Sequence, residues 1–241
     1  MKKRTAQLFA SLFGVCLLLE VWGQYMGGLR FNIFTKPLLM PLLAMYFISS
    51  LKQDQLKLNW NLLVLAGLFF SWSGDIFLMF ADLKPVFFLA GLSAFLITHI
   101  FYSISFLKIG RGRIILWNFA TTASAASIII AGIILMAILW PKLGEMRIPV
   151  LVYSCCISTM AVLSLWVKLK FKCYFSSLML SGALLFMVSD SLIAINKFHN
   201  TFPLSGLWII LTYGLAQIFI VSGFIQLSNS GVGDAKRAPV E

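Results

Sequence analysis

Residues 181–198 read SGALLFMVSDSLIAINKF, an apolar stretch with one carboxylate, Asp190, preceded by about two helical turns of apolar sequence. At about 1.5 Å per residue such a run covers most of a hydrocarbon layer roughly 30 Å thick, so it is predicted to be a membrane-crossing helix. The acid is the anomaly: near the centre of such a helix it costs roughly 2.5–3.5 kcal/mol, and acids kept at that cost commonly serve a function. A second stretch repeats the pattern. Residues 65–80, LAGLFFSWSGDIFLMF, place Asp75 in similar surroundings. Aligned on the acids, Leu65-Ala66-Gly67 matches Leu180-Ser181-Gly182, and no Lys or Arg lies within one turn of either aspartate. The expectation is that Asp75 and Asp190 meet in one buried functional site. The plainer reading is that each pairs with a buried cation or caps an interrupted helix.

The rest of the chain has the same character. It is 60% hydrophobic and 11% charged, with a mean hydropathy of +0.94. Those values exclude an ordinary soluble domain. Further apolar runs at about 1–23, 34–51, 60–80, 85–107, 114–140, 149–167 and 203–227 give eight crossings with the one at Asp190. The predicted fold is an all-α integral membrane protein, because a helix satisfies its own backbone in lipid. Residues 1–228 form a single transmembrane domain, and the polar stretch 229–241 reads as a disordered tail. The first run follows Lys2-Lys3-Arg4 and lacks a small-x-small cleavage site, so it is read as a retained helix. The net charge of +11 reflects basic loops, and nucleic acid is not expected as a partner. Cys16, Cys155, Cys156 and Cys173 sit in or beside apolar segments with no metal-ligand spacing, as small buried hydrophobes do.

Several polar side chains accompany the acids. Lys36, in Thr35-Lys36-Pro37, sits where the proline suits a first helical turn, which makes it either a snorkelling anchor or a phosphate contact. His99 and Tyr102 share a face of the fourth segment, and Tyr213 and Gln217 share a face of the eighth. For these four, interhelical hydrogen bonding is the alternative to lining a pocket. With His199 the remaining histidine of the chain, metal ligation is not expected. The fifth segment, rich in Ala, Ser and Thr, and the sixth are read as packing elements. Glu20 is left without a role.

Eight crossings put Lys2, Lys3, Arg4, Lys52, Lys57, Lys108, Arg111, Arg113, Lys168, Lys170, Lys172, Lys236 and Arg237 on one side. That is the larger share of the 19 basic residues, so both termini are expected in the cytoplasm. The third and seventh segments then run in one direction, and both aspartates fall in the outer half. Equal depth and the shared Leu-small-Gly spacing suggest a parallel repeat of four plus four helices.

Two carboxylates in a dry site resist simultaneous ionisation, which leaves a proton donor beside a carboxylate. Such a pair suits hydrolysis through an oxocarbenium-like cation, and a site reached from lipid suits a lipid substrate. Lys197, about 10 Å nearer the outer surface than Asp190, would suit a phosphate above the cleaved bond.

The motifs Thr35-Lys36-Pro37-Leu38-Leu39-Met40-Pro41-Leu42, Gly74-Asp75, Thr98-His99-x-x-Tyr102, Ser181-Gly182-Ala183-Leu184 through Ser189-Asp190 to Asn196-Lys197-Phe198, and Tyr213-x-x-Ala216-Gln217 occur in this order. Together, over most of the chain, they resemble the YhhN family of multi-pass membrane proteins, whose characterised members are lysoplasmalogenases. The resemblance implies eight helices and hydrolysis of the vinyl-ether bond of an alkenyl-glycerophosphocholine or -ethanolamine, giving a fatty aldehyde and a glycerophospho-alcohol. It further implies that Asp75 and Asp190 are the catalytic pair, with no metal or organic cofactor. His99, Tyr102, Tyr213 and Gln217 would line the pocket, with Lys36, Asn196 and Lys197 near the phosphate. The competing expectations are a proton-coupled transporter and a lipid-binding membrane protein without chemistry. The compact architecture suits a bacterial inner membrane.

Overall fold

A computed structural model of the chain describes residues 2–26, 29–110 and 119–230. The tail 231–241, the loop holding Arg111 and Arg113, and the predicted start of the fifth segment at Ile114 lie outside the described residues. All regular structure among the described residues is helical. The elements are α1 (Lys2–Tyr25), α2 (Leu29–Ser50), the short α3 (Gln53–Leu56), α4 (Asn59–Met79), α5 (Pro85–Gly110), α6 (Phe119–Leu139), α7 (Arg147–Phe171), α8 (Tyr174–Ala194) and α9 (Ser205–Asn229). All but α3 are long and apolar enough to cross a membrane, which gives the eight spans read from the sequence.

The boundaries hold closely except in α2. That helix begins well before Thr35, so Pro37 and Pro41 lie inside it instead of in its first turn. A proline donates no N–H, and Pro41 therefore leaves the carbonyl of Pro37 without its helical partner. Trp72 on α4 supplies the missing donor, its Nε1 reaching Pro37 O at 2.9 Å. The interruption in α2 thus becomes a tie to the helix that carries Asp75.

In membrane helices the buried face sits inside the bundle and the opposite face meets lipid. On α4 the buried positions Val64, Gly67, Leu68, Ser71, Gly74 and Asp75 recur at the three- and four-residue spacing of one helical stripe. Leu62 and Phe69 point outward. Glycine lets α8 and α9 approach: a Cβ on Gly182 would lie 2.7 Å from Ala216 O and 2.9 Å from Ile220 N. The core gathers Leu39, Leu43, Phe47, Leu68, Tyr102, Phe106, Ile220 and Phe224 around α9. Phe106 and Phe224 stack at 5.5 Å between ring centres. α6 stands at the rim, with α7 as its main partner. At one end of the bundle Asn61 donates to Gln55 O and to Ser228 Oγ, while Gln55 Nε2 donates to Ser228 O at 2.8 Å. Those bonds close the end of α9 onto the α3–α4 corner.

Candidate active site

The stripe on α4 delivers Asp75 into the bundle with only 2% of its surface exposed. A buried carboxylate needs donors, and it has them. Tyr213 on α9 donates to Asp75 Oδ2 at 2.7 Å, and Lys36 Nζ on α2 lies 4.0 Å from Oδ1. Behind Tyr213 runs a wholly buried chain of side chains. Tyr102 donates to Gln217 Oε1 at 2.7 Å, Gln217 Nε2 donates to Ser71 Oγ at 2.7 Å, and Ser71 Oγ lies 3.2 Å from the Tyr213 phenol oxygen. Tyr102 and Gln217 therefore brace the Asp75 network from within the bundle, away from any lipid-facing surface.

Asp190 on α8 has a different set of partners. Its Oδ2 accepts from Tyr153 on α7 at 2.5 Å and lies 3.0 Å from His99 Nε2 on α5. His99 Nε2 is also 2.9 Å from the Tyr153 hydroxyl, so the three groups form a closed triangle. The other imidazole nitrogen, Nδ1, is buried without a hydrogen-bond partner. Tyr153 escaped the sequence reading because its segment looks uniformly apolar. The available signal was a phenol in that run, since a buried Tyr hydroxyl needs a partner.

Among the described residues no hydrogen bond joins the two carboxylates. Aromatic rings fill the space between their networks: Phe186 packs edge-on against His99 at 4.7 Å and against Tyr213 at 5.5 Å, and Phe95 meets Tyr213 at 5.7 Å. Glu20, wholly buried on α1, accepts from Thr35 Oγ1 and from Gln24 Nε2. The helix turn that carries Lys36 is thereby tied to α1 through its neighbour Thr35.

Asp190 has open space beside it. Asp190 and Tyr153 stand between two cavities of about 40 Å³ each. One is lined by Leu78, Phe88, Leu92, Phe95 and Phe198; the other by Leu139, Val150, Ile157 and Met187 with Gly132 and Met136 of α6. Each has room for a water or a small part of a chain, a single water needing roughly 10–15 Å³ on this kind of measure. Beyond α8 the chain winds as a π-helix over Ile195–His199, which takes Lys197 off the α-helical register assumed from spacing. Its Nζ sits 5.3 Å above the Phe88 ring, at the wall of the first cavity. The side-chain oxygen of Asn196 is buried without a partner. Among the described residues no three His, Cys, Asp or Glu side chains converge as metal ligands would.

A protein-family model described as the YhhN family matches residues 31–224, a span that contains both acids and their hydrogen-bond and ion-pair partners. The chain is 31% identical over 175 residues to lysoplasmalogenase TMEM86A of Homo sapiens, an alignment covering 68% of this chain and 65% of that protein. The chain thus spans about two thirds of the length of the curated relative it matches. No solved structure matches it.

Proposed function

The chain belongs to the YhhN family, and on that premise we propose that it is a membrane lysoplasmalogenase, hydrolysing the vinyl-ether bond of an alkenyl-lysophospholipid to a fatty aldehyde and a glycerophospho-alcohol. The name of its human relative suggests the reaction. The observation that carries the reading for this chain is the placement of Asp190, a carboxylate held by a phenol and an imidazole between two small cavities in the bundle.

In this mechanism the vinyl ether lies against Asp190. The carboxylic acid form of Asp190 delivers its proton to the β-carbon of the double bond, and the charge that develops is an oxocarbenium shared between the α-carbon and the ether oxygen. The carboxylate left behind faces that cation, with Tyr153 and His99 hydrogen-bonded to Oδ2 to keep the other oxygen directed at the substrate. A water in the adjoining cavity adds to the α-carbon, and Asp190 takes the proton it sheds, which restores the acid. The hemiacetal then breaks its C–O bond as the hydroxyl proton passes to the departing ether oxygen. Substrate and one water become aldehyde and alcohol, with the enzyme unchanged. Asp75, fixed by Tyr213 and Lys36, contributes negative charge to the same region without touching the reacting atoms. Lys197, Asn196 and Lys36 are proposed to lie on the headgroup side.

The test is purified protein in lipid nanodiscs given alkenyl-, alkyl- and acyl-lysophospholipids of matched chain length, with products identified by mass spectrometry. Aldehyde from the alkenyl substrate alone is expected. Release of fatty acid from the acyl compound, or no product from any, would overturn the assignment.

A further inference from the structure

Two lipid-facing clefts flank α6. The larger, about 610 Å³, runs between α6 and α7 from Trp140 down to Val162 and Leu163; the other, about 550 Å³, separates α6 from α8. Both are in the size range of ligand pockets, roughly 300–1,000 Å³. Size alone says nothing of purpose, because any open seam in a membrane protein is filled by lipid tails. The α6–α7 cleft has a further property: three of its lining residues, Gly132, Met136 and Ser154, also line the small cavity at Asp190. Gly132 presents no side chain where the two spaces share a wall. A Cβ there would lie 2.8 Å from Ser158 Oγ and 3.5 Å from Ser154 Oγ, across the floor of the cleft.

We propose that the α6–α7 cleft is the binding site for the hydrocarbon chain of the lipid substrate, which reaches Asp190 laterally from the bilayer past Gly132. The proposal rests on the lysoplasmalogenase reading and extends it to the route of the substrate. Geometry gives the orientation. Leu151 to Leu163 on α7 spans roughly 18 Å along the helix, room for an extended chain running away from Trp140. At the opposite end, the exposed Arg147 holds its guanidinium 5.4 Å over the Trp140 ring. A headgroup phosphate suits that mouth, since an arginine and a tryptophan at a helix end are an interfacial pairing. The shared residues Met136 and Ser154 lie roughly 6–10 Å further in along their helices, the depth of a bond just beneath the glycerol.

The cleft also carries its own reporter. Cys155 lines it with an exposed side chain. In a Cys156→Ala, Cys173→Ser background in diacyl-phosphatidylcholine nanodiscs, Cys155 would be alkylated with N-ethylmaleimide in the presence of a non-cleavable 1-O-hexadecyl-lysophosphocholine. The expected result is at least fivefold slower labelling, with no protection by chainless glycerophosphocholine. Unchanged labelling would overturn the proposal, as the cleft would then be a surface that bilayer lipid already covers. A second arm reads turnover. Gly132→Phe, in protein that still unfolds cooperatively though at a somewhat lower temperature because Ser158 must turn aside, is expected to reduce aldehyde release at least tenfold, while Leu184→Trp in the α6–α8 cleft leaves it unchanged. The reverse pattern would move the route to the other side of α6 and overturn the assignment. A wild type that yields no aldehyde but shows lysolipid protection of Cys155 would sink the enzymatic reading and leave the chain-binding site standing.

Discussion

Tyr213 on α9 hydrogen-bonds Asp75 on α4, and the arrangement has a counterpart across the bundle in His99 on α5, which reaches Asp190 on α8. Each acid thus has one partner from the half of the chain that does not contain it. The second partners come from the acid's own half but at matched places, Lys36 from the second span and Tyr153 from the sixth. We propose that this reciprocity is the trace of a parallel four-plus-four repeat whose two acid sites have diverged. One retains an ammonium and a phenol about a buried carboxylate. The other has a phenol and an imidazole beside cavities.

From that divergence the two aspartates should respond differently to neutralisation. Asp190→Asn removes the group proposed to transfer the proton, a loss of about 10²–10⁴-fold in kcat. Its unfolding temperature should change little, because the amide keeps an acceptor for Tyr153. Asp75→Asn strands Lys36 and should lower the unfolding temperature as well as the rate. Steady-state aldehyde release and thermal unfolding of the two variants, compared side by side, check this. Equal effects on both readouts would show that the sites are interchangeable.

Tyr153→Phe isolates the phenol. The ring still packs edge-on against His99, so the loss is the hydroxyl's contacts to Asp190 and to His99 Nε2. A hydrogen bond to a charged group contributes about 1.5–3 kcal/mol, which corresponds to roughly 10–100-fold in kcat. KM should hold nearly constant, as the hydroxyl positions Asp190 and makes no proposed contact with the lipid. A KM effect without a kcat effect would mean that Tyr153 binds substrate instead.

What could be read in one dimension is what periodicity and length encode. Eight apolar runs became eight helices, and Asp75 and Asp190 announced themselves by their cost in lipid. Their partners were less legible. Which face of α7 meets α8 is decided by packing among helices distant in sequence, so Tyr153 looked like one more apolar position. Lys36 read as a boundary residue, an anchor or a phosphate contact, because Pro37 suggested a helix start, whereas Trp72 supplies the donor that lets α2 continue through its prolines. Lys197 was placed by counting along an α-helix, and the π-helical winding of Ile195–His199 breaks that count.

The glycine matched between the two acid segments can be tested in the second of them. A methyl on Gly182 meets the backbone of α9, at Ala216 O and Ile220 N, and neither can rotate aside. Gly182→Ala should therefore destabilise the protein by about 1–3 kcal/mol, the usual cost of overpacking. Gly14 has nothing within 4 Å of an added Cβ, so Gly14→Ala should be neutral or slightly stabilising through reduced chain entropy. Denaturation midpoints in one detergent provide the comparison.

Lys36 offers the sharpest separation of roles. An ion pair with Asp75, a snorkelling anchor and a phosphate contact make different demands on a double-mutant cycle. Its side chain is 22% exposed and its nitrogen sits at the outer limit of ion-pair distance, so solvent dilutes the attraction without abolishing it. Lys36→Met alone should cost about 1–3 kcal/mol, much of it from leaving Asp75 buried beside no cation. Adding Asp75→Asn removes that orphaned charge, so the double variant should be more stable than the two single losses sum to. An anchor would give strictly additive losses. A phosphate contact adds a separate signature, a raised KM for lysolipid that persists in the double variant, because neutralising Asp75 does nothing to restore a lost cation. Thermal unfolding and KM measured across all four proteins distinguish the three, and additivity with an unchanged KM would leave Lys36 no part in the site.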